Sequence, residues 1–237
     1  MPAKKKARAA SSSGRASSPI HDLVYKEIRY SLMVGTFAPG EKVSLRSLAQ
    51  QVGTSLTPVR GAVNRLIAEG AFEVLPNRWV VIPPMTEEKF DEITHWRTQL
   101  EMEATRLATK HITPALLKRI RKINSDMVRS VEGSGDRTAL LGHNYDFHFE
   151  IYRASQSRIL LPMIESLWLQ AGPFTYFSLS SPKDLWNAKF HDEVIEALED
   201  GDGRAAAAAI KQDIANTAAF LKRQGQFGQP KLRRVVR

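Results

Sequence analysis

The chain contains no cysteine, which excludes disulfides, thiolate metal sites and cysteine nucleophiles and agrees with a reducing compartment. Long apolar runs are also missing. No stretch approaches the ~20 residues of a membrane span, and the basic N-terminal segment lacks the apolar core of a secretory signal. A soluble, cytoplasmic protein with no membrane partner is the expectation. Beyond Pro84 there is no useful alternation of polar and apolar residues and no internal repeat, so strands are not expected there. What is present is enough to fold: 43% of the 237 residues are hydrophobic, sufficient for one or two domains at the usual ~100 to 200 residues each.

Positive charge is plentiful but sits at the ends. Of the formal +9, the first 19 residues contribute +5 and the last seven +4, leaving the body near neutral. Residues 1–19, rich in Lys, Ala and Ser, have too few large apolar groups to offset the entropy of ordering and read as a disordered basic tail. A second basic tail spans 229–237. Such tails can add counterion-release affinity to a nucleic-acid complex, or simply solubilise the chain.

The most informative stretch runs from Ser44 to Ile82. Ser44 can cap a short helix whose Leu45, Leu48, Ala49 and Val52 keep helical spacing, and Gly53 permits the positive φ that stops it. Ser55 or Thr57 can cap the next helix, Pro58 suits its first turn, and Val59, Val63, Leu66 and Ile67 form its buried face. Two short helices across a tight turn make a helix-turn-helix. Its second helix would present Ser55, Leu56, Arg60 and Asn64 to phosphates and base edges in a major groove. Ala71 to Leu75 and Trp79 to Ile82 read as two strands around Pro76-Asn77-Arg78, a wing whose Arg78 could reach the adjacent backbone. Ahead of the pair, Val24, Ile28 and Leu32 give a supporting helix from Pro19, ended by Gly35.

Pro83-Pro84 reads as a stiff linker between a unit at 20–84 and a second at 85–228. Thr86 caps a long helix with the apolar stripe Phe90, Ile93, Trp96, Leu100, Ala104 and Leu107. Thr113-Pro114 opens a helix ending near Gly133, and others run roughly 138–155, 158–171, 183–200 and 204–224. Gly172-Pro173, Ser181-Pro182 and Gly201-Asp202-Gly203 are the separators. The fold class is therefore mainly α: an N-terminal winged helix-turn-helix and a C-terminal antiparallel bundle of about six helices, where ligand sites typically lie between helices.

Ionisable groups on apolar stripes mark candidate sites, because burying them without partners is costly. Arg97 falls inside the stripe and requires a carboxylate, which Glu101 one turn on could supply; the alternative is an arginine that anchors a ligand. Asn144 and His148 share a face with Leu141, Tyr145 and Tyr152, His191 lies with Val194 and Leu198, and Asp213 borders Ala206, Ile210 and Ile214. Two imidazoles, a carboxylate and an amide oxygen from three helices would suit a divalent ion such as zinc, nickel or manganese, although buried histidines are often plain core.

The segment from His21 to Pro84, with Gly35, Pro39-Gly40 and Thr57-Pro58-Val59-Arg60, resembles the winged-helix domain of GntR-family bacterial transcription regulators. That resemblance implies DNA contacts for Arg46, Ser55, Thr57 and Arg60. Leu56 departs from the second arginine of many members, and Trp79 from the usual wing glycine. Ile93 to Ala108, Phe147-His148 with Ala154-Ser155, and His191 with Ala197 and Gly201-Asp202 are similar to the FCD effector domain of the FadR branch. Metal-binding members carry Asp and His four apart, then two His twenty-two apart. Asn144, His148, His191 and Asp213 match those positions with the spacing kept and two ligand types exchanged. The resemblance implies a metal and Arg97 that together bind a small carboxylate effector, with Tyr145, Tyr152 and further aromatics, Trp96, Trp168 and Phe174, shaping the pocket.

The leading expectation is thus a homodimeric, ligand-responsive transcriptional regulator, a repressor more often than an activator in that family, on a palindromic double-stranded operator. Two other readings use the same residues. His148, His191 and Asp213 could form the metal centre of an enzyme, or the basic tails could make an architectural DNA binder with little sequence preference.

Overall fold

The computed structural model describes residues 19–76, 79–132, 137–180, 185–186, 189–224 and 227–228. Helix α1 (Pro19–Met33) buries Val24, Ile28 and Leu32 against two shorter helices, α2 (Leu45–Val52) and α3 (Leu56–Ala68). The α2 start is a reciprocal capping box. Ser44 Oγ accepts from Ser47 N at 3.0 Å, and Ser47 Oγ accepts from Ser44 N at 3.1 Å, satisfying two amides the first turn would leave orphaned. Gly53 ends α2 at φ 68°, a left-handed conformation that costs glycine little. Ser55 takes the cap position of α3 without a side-chain hydrogen bond.

The wing is smaller than its apolar runs implied and includes a strand that sequence reading missed. β1 (Lys42–Val43), β2 (Glu73–Val74) and β3 (Val80–Val81) form an antiparallel sheet in the order β1-β3-β2. Val43 pairs with Val80 and Glu73 with Val81. Two residues are too few for alternation to register, so β1 has no periodic signal. The wing-tip residues Asn77 and Arg78 and both basic tails lie outside the described residues.

The remaining helices are α4 (Glu87–Ala108), α5 (Pro114–Glu132), α6 (Arg137–Ala154), α7 (Leu160–Thr175), α8 (Lys189–Glu199) and α9 (Gly203–Arg223). Short 3-10 turns follow α4 (Thr109–His111) and α7 (Tyr176–Ser180). α4 and α8 pack along α9, and α5 along α6. The alanines at 206, 207 and 209 are buried, and their small size lets α9 approach both neighbours closely. Asp202 caps α9 by accepting from Arg204 N and Ala205 N at 2.9 and 3.0 Å.

Two expectations fail here. The pair Gly172-Pro173 does not separate helices, because α7 continues through it to Thr175. Proline there removes the bond to the Leu169 carbonyl, but with only two helical residues after it there is little further helix to break. Gly172 has a packing reason instead. A Cβ at that position would lie 2.3 and 2.5 Å from the carbonyl oxygens of Leu32 and Met33, so only glycine lets α7 seat directly on the end of α1. Arg29 of α1 adds an ion pair to Glu165 of α7 at 3.1 Å. Trp96 is also not part of the α4 stripe: it is 51% exposed, since the buried face of α4 is completed by Arg97 and Glu101 rather than by it.

Candidate functional site

Two places collect the polar residues that the chain does not spend on its own fold. The first is the outer face of α3. Ser55, Leu56, Thr57, Arg60 and Asn64 are all exposed, as is Arg46 on α2. They lie together because Pro58, Val59, Ala62, Val63 and Leu66 occupy the opposite, buried face. Arg60 makes no ion pair among the described residues, whereas Arg65 on the same helix is committed to α1. Arg65 bonds Asp22 at 2.9 Å and stands 3.6 Å over the Tyr25 ring. Leu56 is 39% exposed, an apolar group at the front of a helix otherwise lined with donors. The Ser55 hydroxyl, unused as a cap, is free to meet a phosphate.

The second place is a cavity inside the bundle. Nε2 of His148 on α6 lies 3.4 Å from Oδ2 of Asp213 on α9, and Nε2 of His191 on α8 lies 3.9 Å from Oδ1. One ligand atom from each lies within 4.8 Å of the others. Asn144, one turn before His148, lines the same cavity, and its buried Oδ1 has no hydrogen-bond partner among the described residues. The indole N–H of Trp186, also lining it, is likewise unsatisfied. Sequence reading placed Trp186 inside a helix at 183–200, whereas it precedes α8, which begins at Lys189.

Arg97 reaches the cavity wall while its Nε donates to Glu101 Oε1 at 2.7 Å, so the internal pair and the wall position both hold. Burial disfavours the guanidinium charge, yet the Glu101 carboxylate outweighs it and raises the Arg97 pKa. Glu101 is wholly buried and also accepts from Tyr152 Oη at 2.5 Å and Trp168 Nε1 at 2.9 Å. The structure thus places Tyr152 behind His148 rather than on the cavity wall. Tyr145 faces away from the wall, stacked on Phe149 at 4.2 Å and edge-on to Tyr30 of α1 at 5.2 Å. Phe174 packs on Phe90. Of the five aromatics expected to shape a pocket, Trp168 lines it; the others fill core or, for Trp96, face outward.

The ligand atoms of His148, His191 and Asp213 sit in surroundings that set their charge. Burial pushes the His191 pKa down to about 3, helped by neighbouring His148 and opposed by Asp213, so that imidazole is neutral at pH 7. Asp213 faces both Nε2 atoms, and the nearby Arg97 charge favours its ionised form against burial. A carboxylate, two imidazole nitrogens and an orphaned amide oxygen are the donor set of a borderline divalent ion. The free space is about 30 Å³, room for roughly two water-sized groups.

An exposed helix-turn-helix with a wing, joined to a helical bundle holding a buried polar cavity, defines a DNA-binding, ligand-responsive transcriptional regulator. Comparison with known proteins gives the family. Residues 21–82 match the model of the bacterial regulatory proteins of the gntR family, and 92–216 match the FCD domain; the chain belongs to the GntR family, in its FCD-containing branch. It is 32% identical to the HTH-type transcriptional regulator McbR of Escherichia coli K12 over 85% of this chain and 92% of that one. It is 28% identical to a probable D-xylose utilization operon transcriptional repressor of Paenarthrobacter nicotinovorans over 84% of this chain and 85% of the relative. The solved structure of E. coli McbR/YncC superposes with a TM-score of 0.82 at 27% identity, covering 88% of this chain and all of that one.

Proposed function

We propose that the protein is a homodimeric repressor in the cytoplasm, associated with the nucleoid when bound, that reads a palindromic operator with α3 and releases or tightens on it as the bundle cavity fills. Arg46, Ser55, Thr57 and Arg60 hold phosphates and base edges, Leu56 and Asn64 meet bases, and Arg78 is assigned to the wing contact. The cavity takes a divalent ion, zinc, nickel or manganese, on His148, His191, Asp213 and Asn144. A bound ion would offer open coordination positions to a carboxylate oxygen, and Arg97 on the wall adds a positive donor for the same group. Because the free space is so small, an organic acid enters only if the walls part. That movement is what α7 can pass to α1 through their glycine contact.

The observation that carries the sensing half of this reading is the His148, His191 and Asp213 cluster, whose ligand atoms lie within 4.8 Å of one another, with the orphaned Asn144 Oδ1 in the cavity that His148 and Asp213 also line. A buried acceptor without a donor costs free energy, and a cation held by the three clustered groups is a partner of the kind the amide oxygen lacks. Elemental analysis with native mass spectrometry on protein purified without chelator or histidine tag tests it. One divalent ion per subunit is expected, and none in the double variant His148→Ala, His191→Ala. Full occupancy in that variant, or no metal in the wild type, overturns the ligand set. A footprint on a single palindromic site tests the DNA half independently.

A further inference from the structure

Both histidines clustered with Asp213 are held from behind, and we infer that Asn124 and Tyr152 are positioning residues that fix their tautomers, presenting each Nε2 lone pair to the ion. This rests on the metal reading above.

The chemistry of the partners leaves little freedom. Asn124, buried on α5, has Nδ2 2.8 Å from Asp192 Oδ1 and Oδ1 3.1 Å from His191 Nδ1. An ionised carboxylate only accepts, so the amide must turn its NH₂ to Asp192 and its carbonyl to the imidazole. A carbonyl also only accepts. Nδ1 of His191 therefore carries the proton, and the neutral ring has its lone pair at Nε2, on the Asp213 side. The Phe147 ring, stacked on His191 at 3.7 Å with planes 7° apart, prevents the imidazole from rotating out of this alignment.

The other arm uses different residues to the same end. Tyr152 Oη has one proton and two neighbours, Glu101 Oε2 at 2.5 Å and His148 Nδ1 at 3.1 Å. The shorter, charge-assisted bond to the carboxylate takes that proton. The hydroxyl then offers His148 only a lone pair, so Nδ1 of His148 is also the protonated nitrogen. Two relays of unrelated composition, Asp192–Asn124–His191 and Glu101–Tyr152–His148, converge on one outcome. Outer partners of this kind orient metal-binding histidines and raise their basicity, and their loss typically lowers metal affinity about 10- to 100-fold.

The test reads the tautomers directly, on the full chain labelled with ¹⁵N histidine and stripped of metal. Long-range ¹H–¹⁵N correlation at mildly alkaline pH should show His148 and His191 as Nδ1–H tautomers. Asn124→Leu, close in volume, should release His191 to a mixture of tautomers, and Tyr152→Phe should do so for His148. Each should weaken Zn²⁺ binding about 10- to 100-fold by competition with a chromogenic chelator. Protonation of either wild-type histidine at Nε2 overturns the inference without any variant being needed. So do unchanged tautomers with unchanged zinc affinity in folded variants. Wild-type Nδ1–H tautomers with no zinc binding at all would instead refute the metal reading and leave the two relays standing.

Discussion

Arg60 and Arg97 were both singled out as candidate anion contacts, and they occupy opposite surroundings. Arg60 stands on the open face of α3 with no ion pair among the described residues, while Arg97 is enclosed and bonded to Glu101. The first is an uncommitted charge whose interaction with a polyanion is screened by salt. The second is already neutralised, and its carboxylate partner is shared with Tyr152 and Trp168. A recognition surface leaves its charges free for a partner that brings its own counter-charge. A buried sensor site must satisfy its charges before any ligand arrives, because the chain has to fold in the ligand's absence.

The contrast breaks most severely at Glu101. Glu101→Ala strands the Arg97 charge together with the Tyr152 hydroxyl and the Trp168 N–H, and should cost about 3 to 5 kcal/mol in urea unfolding. A cost under about 1 kcal/mol would mean that the network is not closed to water. Acid should act next most strongly. The folded His191 pKa of about 3 lies below its ordinary 6.5, so the unfolded chain takes up the proton first. Metal-free protein therefore loses stability as pH falls from 6.5 towards 3, by about 1.4 kcal/mol per unit and about 3 kcal/mol over the first two. Urea midpoints between neutral and weakly acidic pH measure the slope; a flat profile would contradict the burial of His191.

Gly172→Ala sharpens the comparison by separating the two places physically. Its Cβ meets backbone rather than a movable side chain, so overpacking should cost about 1 to 3 kcal/mol in thermal unfolding. If α7 carries the signal, any effect of zinc on operator affinity should shrink while zinc affinity itself holds. Arg60→Ala should weaken operator binding roughly tenfold and reduce the salt slope by about one, with stability within about 0.5 kcal/mol of wild type. Binding unchanged at moderate salt would remove α3 as the reading helix. The smallest effect is expected at Ser44→Ala, which removes one arm of the capping box and should cost about 1 kcal/mol of stability without touching the cavity.

Helices were legible wherever apolar spacing and a stop residue agreed. Ser44, Gly53, Thr86 and Gly201 each mark an end that the structure keeps, because caps act through neighbours in sequence. The His148, His191 and Asp213 cluster was also readable as residue types on buried faces at family spacing. The rest was not local. Gly172 looked like a break because glycine followed by proline commonly is one, and only the seat of α7 on α1 explains its place inside a helix. Trp96 looked like core and Asn124 gave no signal, since three-to-four periodicity locates a face but not what stands opposite it. Composition, caps and periodicity thus determined the elements and the exposed face of α3, which depend on residues within about one helical turn of each other. Which nitrogen of each histidine faces Asp213 was decided by tertiary structure, because Asn124 lies 67 residues from the His191 it backs and Glu101 lies 51 residues from Tyr152, the residue behind His148.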